Sequence, residues 1–284
     1  KMKKLLIFYL AWIWISCTEN PFGGEMKITD RTISGRVKLE KVPFYPEGFH
    51  GGVLVWSEGM GLKDITDIDG SFEFVLPAAN EHSSGAIVDG NYQIEFFMAN
   101  YKLETVTITF AGGQIVDDPK TINLEGEFRR DISMTRIAGI HTVVEPGKIA
   151  IGFETGLKIK VTVTPDRTDV YFNLRKLVTK AGSVYTGLLI KDQAADKLMY
   201  TVDIDSASTM REYMDRPKKE MVFDLDYPSS NLPKGSYEVI PYFLIERDDV
   251  PARIFDVLDK GYDSFTEKYF HYPLYRTGGE FIIE

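Results

Sequence analysis

The chain holds one cysteine, Cys17, in 284 residues, so no internal disulfide is possible. It holds four histidines, His50, His82, His141 and His271, and none stands in an H-x-x-E or H-E-x-x-H pattern. The zinc motifs of metallocarboxypeptidases and zincins are therefore absent. No G-x-S-x-G elbow, phosphate loop or dinucleotide fingerprint occurs, so no cofactor or metal is expected. Positive charge is also short. Lysine and arginine number 33 against 42 acids, a formal charge of -9. The first sixteen residues hold three lysines and no acid, which leaves -12 on the remainder. Such a surface repels phosphate backbones, so nucleic acid is excluded as a partner. It repels anionic headgroups as well, so attachment to a membrane needs something other than a basic patch. No apolar run reaches the roughly 20 residues that span a bilayer.

What is present begins at the N-terminus. "KMKKLLIFYLAWIWISC" has a basic start, then twelve mostly apolar residues at 5–16, as in a secretory signal peptide. Cys17 follows directly after Ile15 and Ser16, and this arrangement resembles a bacterial lipoprotein signal. The resemblance implies that residues 1–16 are removed and that Cys17 becomes the lipid-modified first residue. Trp14 stands where that pattern usually has an aliphatic residue. An ordinary signal peptide with an incidental cysteine is the alternative. Thr18, not an acid, comes next, which favours transfer to the outer membrane, on its periplasmic or cell-surface side. Residues 17–31 read as the lipidated cysteine and a flexible tether.

From residue 33 the pattern is β almost throughout. Short strand-like runs at 33–39, 52–58, 71–77, 92–99, 104–111 and 127–134 are separated by turn residues. No helical period of ten residues interrupts them. A second set begins near residue 137. "LKIKVTVTP" alternates cleanly and places Leu157, Ile159, Val161 and Val163 on one face. The expected fold is all-β: two antiparallel β-sandwich domains, 32–136 and 137–284, the second immunoglobulin-like by pattern. One short helix is expected within 251–259, where proline suits a first turn and Ile254, Phe255 and Leu258 share a face. Gly90-Asn91-Tyr92 and Gly235-Ser236-Tyr237 both read G-x-Y before a strand, and each tyrosine is expected at a sandwich corner.

"TDIDGSFEFVLP" at 66–77 poses a choice between a calcium loop and a turn. With Gly70 as the loop glycine, an EF-hand needs oxygen ligands at 65 and 76, but these are Ile65 and Leu76. Asp-Gly between alternating runs signals a hairpin, with Phe72, Phe74 and Leu76 facing a core. Together with Gly35, Thr66, Asp67, Asp69, Phe72, Phe74, Pro77, Gly90 and Tyr92, the stretch resembles the carboxypeptidase regulatory-like domain over residues 32–136. That family implies a transthyretin-like sandwich of about seven strands, an accessory domain of exported bacterial proteins with no catalytic residues of its own. Asn100-Tyr101 stands where the family often has Gly-Tyr, and Asn is expected to supply a left-handed turn. Twelve inserted residues between Pro77 and Gly90 read as a surface loop.

Binding candidates are few. The segment 265–276 gathers Phe265, Tyr269, His271, Tyr272 and Tyr275, aromatics with polar tips that suit carbohydrate or protein contacts. The same residues also fit a terminal strand whose alternate aromatics fill the second core. The expected function is a non-catalytic structural, adhesive or binding role at the cell envelope, with a lipid anchor and with envelope proteins as partners. Two alternatives stand beside it. One is a carbohydrate-binding accessory protein of a glycan-uptake system. The other is a hydrolase of the second domain, which would need two carboxylates facing each other in a cleft.

Overall fold

The structure, a computed structural model, describes residues 31–40, 47–77, 87–151, 156–167, 170–175, 177–178, 184–203, 209–214, 218–225 and 232–284. The leader, Cys17, all of the tether but Arg31, and residues 78–86 of the insertion lie outside the described residues. No helix among the described residues is long and apolar enough to cross a membrane.

The first half builds two sheets. Ser71–Val75, Thr32–Leu39 and Ile132–Met134 form a three-stranded sheet in that order. Leu62–Ile65, Leu54–Ser57, Gly90–Phe97, Glu104–Ala111 and Gln114–Ile115 form a five-stranded sheet. Alternation explains the packing. Ile33, Val37, Phe72 and Phe74 from one sheet meet Val53, Val55, Ile94, Phe96, Ile108 and Phe110 from the other in one core. Phe72 lies edge-on to Phe96 across the gap, with centroids 5.4 Å apart.

The stretch at 66–71 is a turn. The N–H of Asp67 donates to Ser71 O at 2.9 Å and that of Gly70 to Asp67 O at 2.8 Å. Gly70 has φ +88°, and a Cβ there would lie 2.1 Å from the carbonyl oxygen of Val37, so only glycine fits. Asp69 is occupied by the turn itself. Its carboxylate accepts from the Ser71 hydroxyl and, at 3.1 Å, from the Ser71 N–H, and these bonds hold its pKa below the usual carboxylate range. The expected hairpin is corrected, because its two arms belong to different sheets. The turn is a corner over which the chain passes from Leu62–Ile65 in one sheet to Ser71–Val75 in the other. Asp64 bridges the two edges by accepting the N–H of Glu73 at 2.9 Å.

The second half is also all-β. Its larger sheets run Lys148–Ile149, Glu280–Ile283, Gly235–Pro241, Leu188–Asp192, Lys197–Val202 and Lys219–Leu225, Leu157–Pro165, Ala138–Glu145, Thr277–Gly278. Leu157, Ile159, Val161 and Val163 are buried as their spacing requires. Both G-x-Y tyrosines close corners: Tyr92 Oη donates to Val88 O at 2.9 Å and Tyr237 Oη to Pro233 O at 2.6 Å, each four residues upstream. Among the strand pairs of the described residues pairing is mostly antiparallel, and three pairs are parallel. Thr32–Leu39 runs parallel to Ile132–Met134, Lys148–Ile149 to Glu280–Ile283, and Thr277–Gly278 to Ala138–Glu145. The helix spans Ala252–Val257, with Ile254 fully buried.

The two cores share residues. Leu54, Trp56, Phe97 and Ala99 belong to the first half by sequence, yet they pack into the core of the second. Tyr275 goes the other way and fills the first core. The five-stranded sheet is thus covered on its inner face and, around Leu54, Trp56, Glu95 and Phe97, on its outer face by the second half, while Gln93, Thr105 and Thr107 of that outer face stay exposed.

Candidate functional site: the junction and its cleft

The junction starts from the outer face of the five-stranded sheet. Along Leu54–Ser57, Val53 and Val55 point to the inner core, so Leu54 and Trp56 point outward. Glu95 pairs with Trp56 and Phe97 with Leu54 on the neighbouring strand, so these four share the outer face. The helix Ala252–Val257 lies against it. Phe255 meets Phe97 edge-on at 5.7 Å. Arg253 Nη2 donates to Glu95 Oε1 at 2.6 Å, and Arg253 also lies 3.3 Å from Glu58. Glu95 is only 4% exposed, so this pair compensates a carboxylate removed from water.

Backbone groups at the seam are met by two side chains. Asn100 is fully buried. Its amide nitrogen donates to Ala138 O and Tyr275 O, and its oxygen accepts the Tyr275 N–H, each at 2.9 Å. The expectation that Asn100 supplies a left-handed turn is corrected: among the described residues other than glycine, only Asp196 has positive φ. Asn is needed here for its amide, which ties the end of the first sandwich, the start of the second and the C-terminal return together. Arg247 works alongside it. Nη1 donates to the carbonyls of Met98, Ala99 and Tyr101, while Asp249 holds the other side of the guanidinium at 2.7 and 2.8 Å. Sequence reading missed Asn100's role and missed Arg247 and Arg253 altogether.

The candidate surface at 265–276 is corrected in large part. The segment is a 3-10 helix, Glu267–His271, followed by extended chain, not one long strand. Tyr269 is fully buried, and its hydroxyl takes the Phe243 N–H at 2.8 Å and donates to Phe243 O at 2.7 Å. Tyr272 is buried against Tyr269 and Tyr262. Burial raises the pKa of both phenols. Tyr275 stacks on Phe49 at 5.1 Å. The 3-10 turn folds Tyr269 inward, and Tyr272 and Tyr275 are buried from the extended chain that follows, so these tyrosines serve as packing. Phe265 is half-buried against Tyr242. His271 alone among the five is exposed.

The same segment does form one wall of a cleft of about 420 Å³. Phe49, Gly51 and Gly52, the strand residues Lys63 and Ile65, and Val257 to Asp259 form the remaining walls. Its polar groups are Lys63, Glu238, Asp259, His271 and Arg276, and its ring surfaces include Phe49 and Phe270. Glu238 has a raised pKa because burial outweighs the attraction of Arg276 and Lys191, with Glu280 and Asp196 adding repulsion. The cleft falls in the size range of small-molecule sites and mixes apolar walls with few polar groups, as such sites do.

No family model matches the chain, and no curated protein matches it. Among solved structures it is similar to a DUF3823 family protein from Bacteroides ovatus, at 10% identity over 77% of this chain and 96% of that one, with a TM-score of 0.29. It is also similar to BcpA, the major pilin subunit of Bacillus cereus, at 11% identity over 76% of this chain and 66% of that one, with a TM-score of 0.24. Both scores are too low to carry a function to this chain.

Proposed function

We propose that this is an exported envelope protein, anchored to the outer membrane through a lipid on Cys17, whose two fused sandwiches act as a stiff, non-catalytic structural or binding element. The first sandwich would then be an accessory domain of the carboxypeptidase regulatory-like kind. The observation that carries the structural part is the junction. A sheet whose outer face is partly covered by the second half, with Asn100, Arg247 and the Glu95–Arg253 pair spanning the seam, resists bending between its halves. Relative motion is the ordinary expectation for adjoining domains unless their interface is large and apolar. The basic and apolar leader supports the anchor.

Replacing Cys17 with Ser should move the protein from the membrane pellet to the soluble extract. Unchanged sedimentation with membranes would refute the anchor. Purification of the intact protein from detergent-solubilised native membranes should bring a constant set of envelope proteins with it.

A second reading is a saccharide-binding accessory role. It is favoured by the cleft, where aromatic surface and both signs of charge converge on a space of about 420 Å³. A glycan array with no binding above background would set it aside.

A further inference from the structure

We infer that the end of the first sandwich where the tether joins lies against a zwitterionic lipid surface. This rests on the lipid anchor proposed above. Nine large apolar side chains are exposed among the described residues. Singly, such residues need no explanation. Four of them, Val75, Val88, Val116 and Leu124, gather at one end of the first sandwich, 40% to 68% exposed. Val75 pairs with Thr32. Arg31, just before it, donates to the carbonyls of Gly113 and Pro77. Gly113 in turn donates its N–H to the Asp89 carboxylate at 3.0 Å, next to Val88. The turn that carries Leu124 passes close to Thr32: a Cβ on Gly126 would lie 2.0 Å from the Thr32 carbonyl oxygen and 3.1 Å from Ile115, next to Val116. One web of contacts thus brings the four to the place where the tether joins the fold.

The other exposed apolar residues of this half, Ile65 and Ile68, lie at the opposite end. Thr32 faces Val75 while Arg36 faces Ser71, so the 66–71 corner is on the order of 15 Å further along the strand. The anchor distinguishes the two ends. Thirteen residues, 18–30, separate Cys17 from Arg31, and even fully extended they span at most about 45 Å. A lipid on Cys17 therefore keeps the joined end within that reach of the bilayer. Apolar side chains held there gain by leaving water for the interface, and the anchor has already removed freedom that so weak a contact would otherwise lose. The backbone holds them in place. Val116 N–H donates to Thr109 O at 2.9 Å, Val88 O accepts from Tyr92 Oη at 2.9 Å, and Asn123 closes the turn under Leu124 by accepting the Glu127 N–H at 2.7 Å. Charge selects the lipid. Asp89 and Glu125, both exposed, stand beside Val88 and Leu124 in the chain. Of the nearby cations, Arg31 is held by carbonyls, Arg129 by Asp117 at 2.5 Å, and Lys120 is attracted by Asp118. Such an end does not draw anionic headgroups, and a zwitterionic surface fits it.

The test is reconstitution of the full lipidated chain into phosphatidylcholine vesicles that contain a nitroxide-labelled lipid. A bimane is attached to the Leu124→Cys variant or, as a control, to Ile68→Cys, since Cys17 is the only native cysteine and carries the lipid under the anchor reading. The inference expects the label at position 124 to lose most of its emission in floated vesicles and the label at position 68 to keep it. Val88→Asp with Val116→Asp should restore emission at position 124 without reducing flotation. Both are exposed sites, so the thermal midpoint should stay near that of the parent. Flotation separates this inference from the reading beneath it. Complete flotation with equal quenching at the two positions, or with none, would overturn the docked end and keep the anchor. Failure to float would overturn both. Shielding of position 124 from aqueous iodide without quenching by lipid would mean that protein covers this end, and would overturn the lipid surface. Stronger quenching in phosphatidylglycerol vesicles would overturn the zwitterionic preference.

Discussion

The inner face of the five-stranded sheet and the patch of its outer face around Leu54, Trp56, Glu95 and Phe97 are both buried, and they are buried by different means. The inner face meets a partner sheet built from the same half of the chain, and its contacts are apolar: Val53, Val55, Ile94, Phe96 and Phe110 against Phe72, Phe74 and Val37. The outer face meets the second half, and its contacts mix rings with charge. Leu54, Trp56 and Phe97 lie beside Glu95, and Asn100 and Arg247 hold backbone groups at the margin. An apolar contact selects for burial but tolerates sliding. An ion pair to a buried carboxylate and a three-bond amide clamp hold only in one register. The inner face therefore makes a sandwich, and the outer face fixes how two sandwiches meet.

The strongest way to break this comparison is to remove one ring from each face. Phe96→Ala and Phe97→Ala should each cost about 3–5 kcal/mol, the range for large-to-small changes in a packed core. Were the outer face ordinary surface, Phe97→Ala would cost roughly 0.5 kcal/mol or less. Denaturant titration of both variants decides it.

A finer test concerns Asn100. Asn100→Gly and Asn100→Ala should both lose about 2–4 kcal/mol, since each leaves Ala138 O and both backbone groups of Tyr275 without their partner. If a left-handed turn were the requirement, glycine would restore stability and alanine would not. The smallest effect is expected at Glu238. Its pKa is raised in the folded state, so the fold binds its proton more tightly than the unfolded chain does. Its contribution is most favourable below the unfolded carboxyl pKa and is lost as pH rises through the folded value. Glu238→Gln should therefore flatten the fall in stability above about pH 4.3 and leave the protein equal or more stable at pH 7.

What could be read from the sequence follows the range of the interactions. Alternation in 157–165 and the phenylalanines of 71–77 mark inner faces because side-chain direction in a strand is set locally. The two G-x-Y corners were legible for the same reason, since each hydroxyl reaches back only four residues. The outer face left a fainter mark. "VLVW" and "IEFFMA" are nearly unbroken apolar runs, the sign of a strand buried on both sides, interrupted by Glu95. The clamps left none. Asn100 to Tyr275 and Arg247 to Met98 join residues more than a hundred positions apart, and each looks like any polar residue in its own neighbourhood. In the tail, the reading that its aromatics fill the second core holds for Tyr269 and Tyr272, but the strand does not, because residues 267–271 close a 3-10 turn instead.

The central claim is that the two sandwiches form one cooperative body. Scanning calorimetry of the chain from residue 17, with Cys17→Ser, tests it most directly. The account predicts one transition whose calorimetric and van't Hoff enthalpies agree, and which Phe97→Ala shifts downward as a whole. Two transitions, only one of them moved by Phe97→Ala, would contradict it.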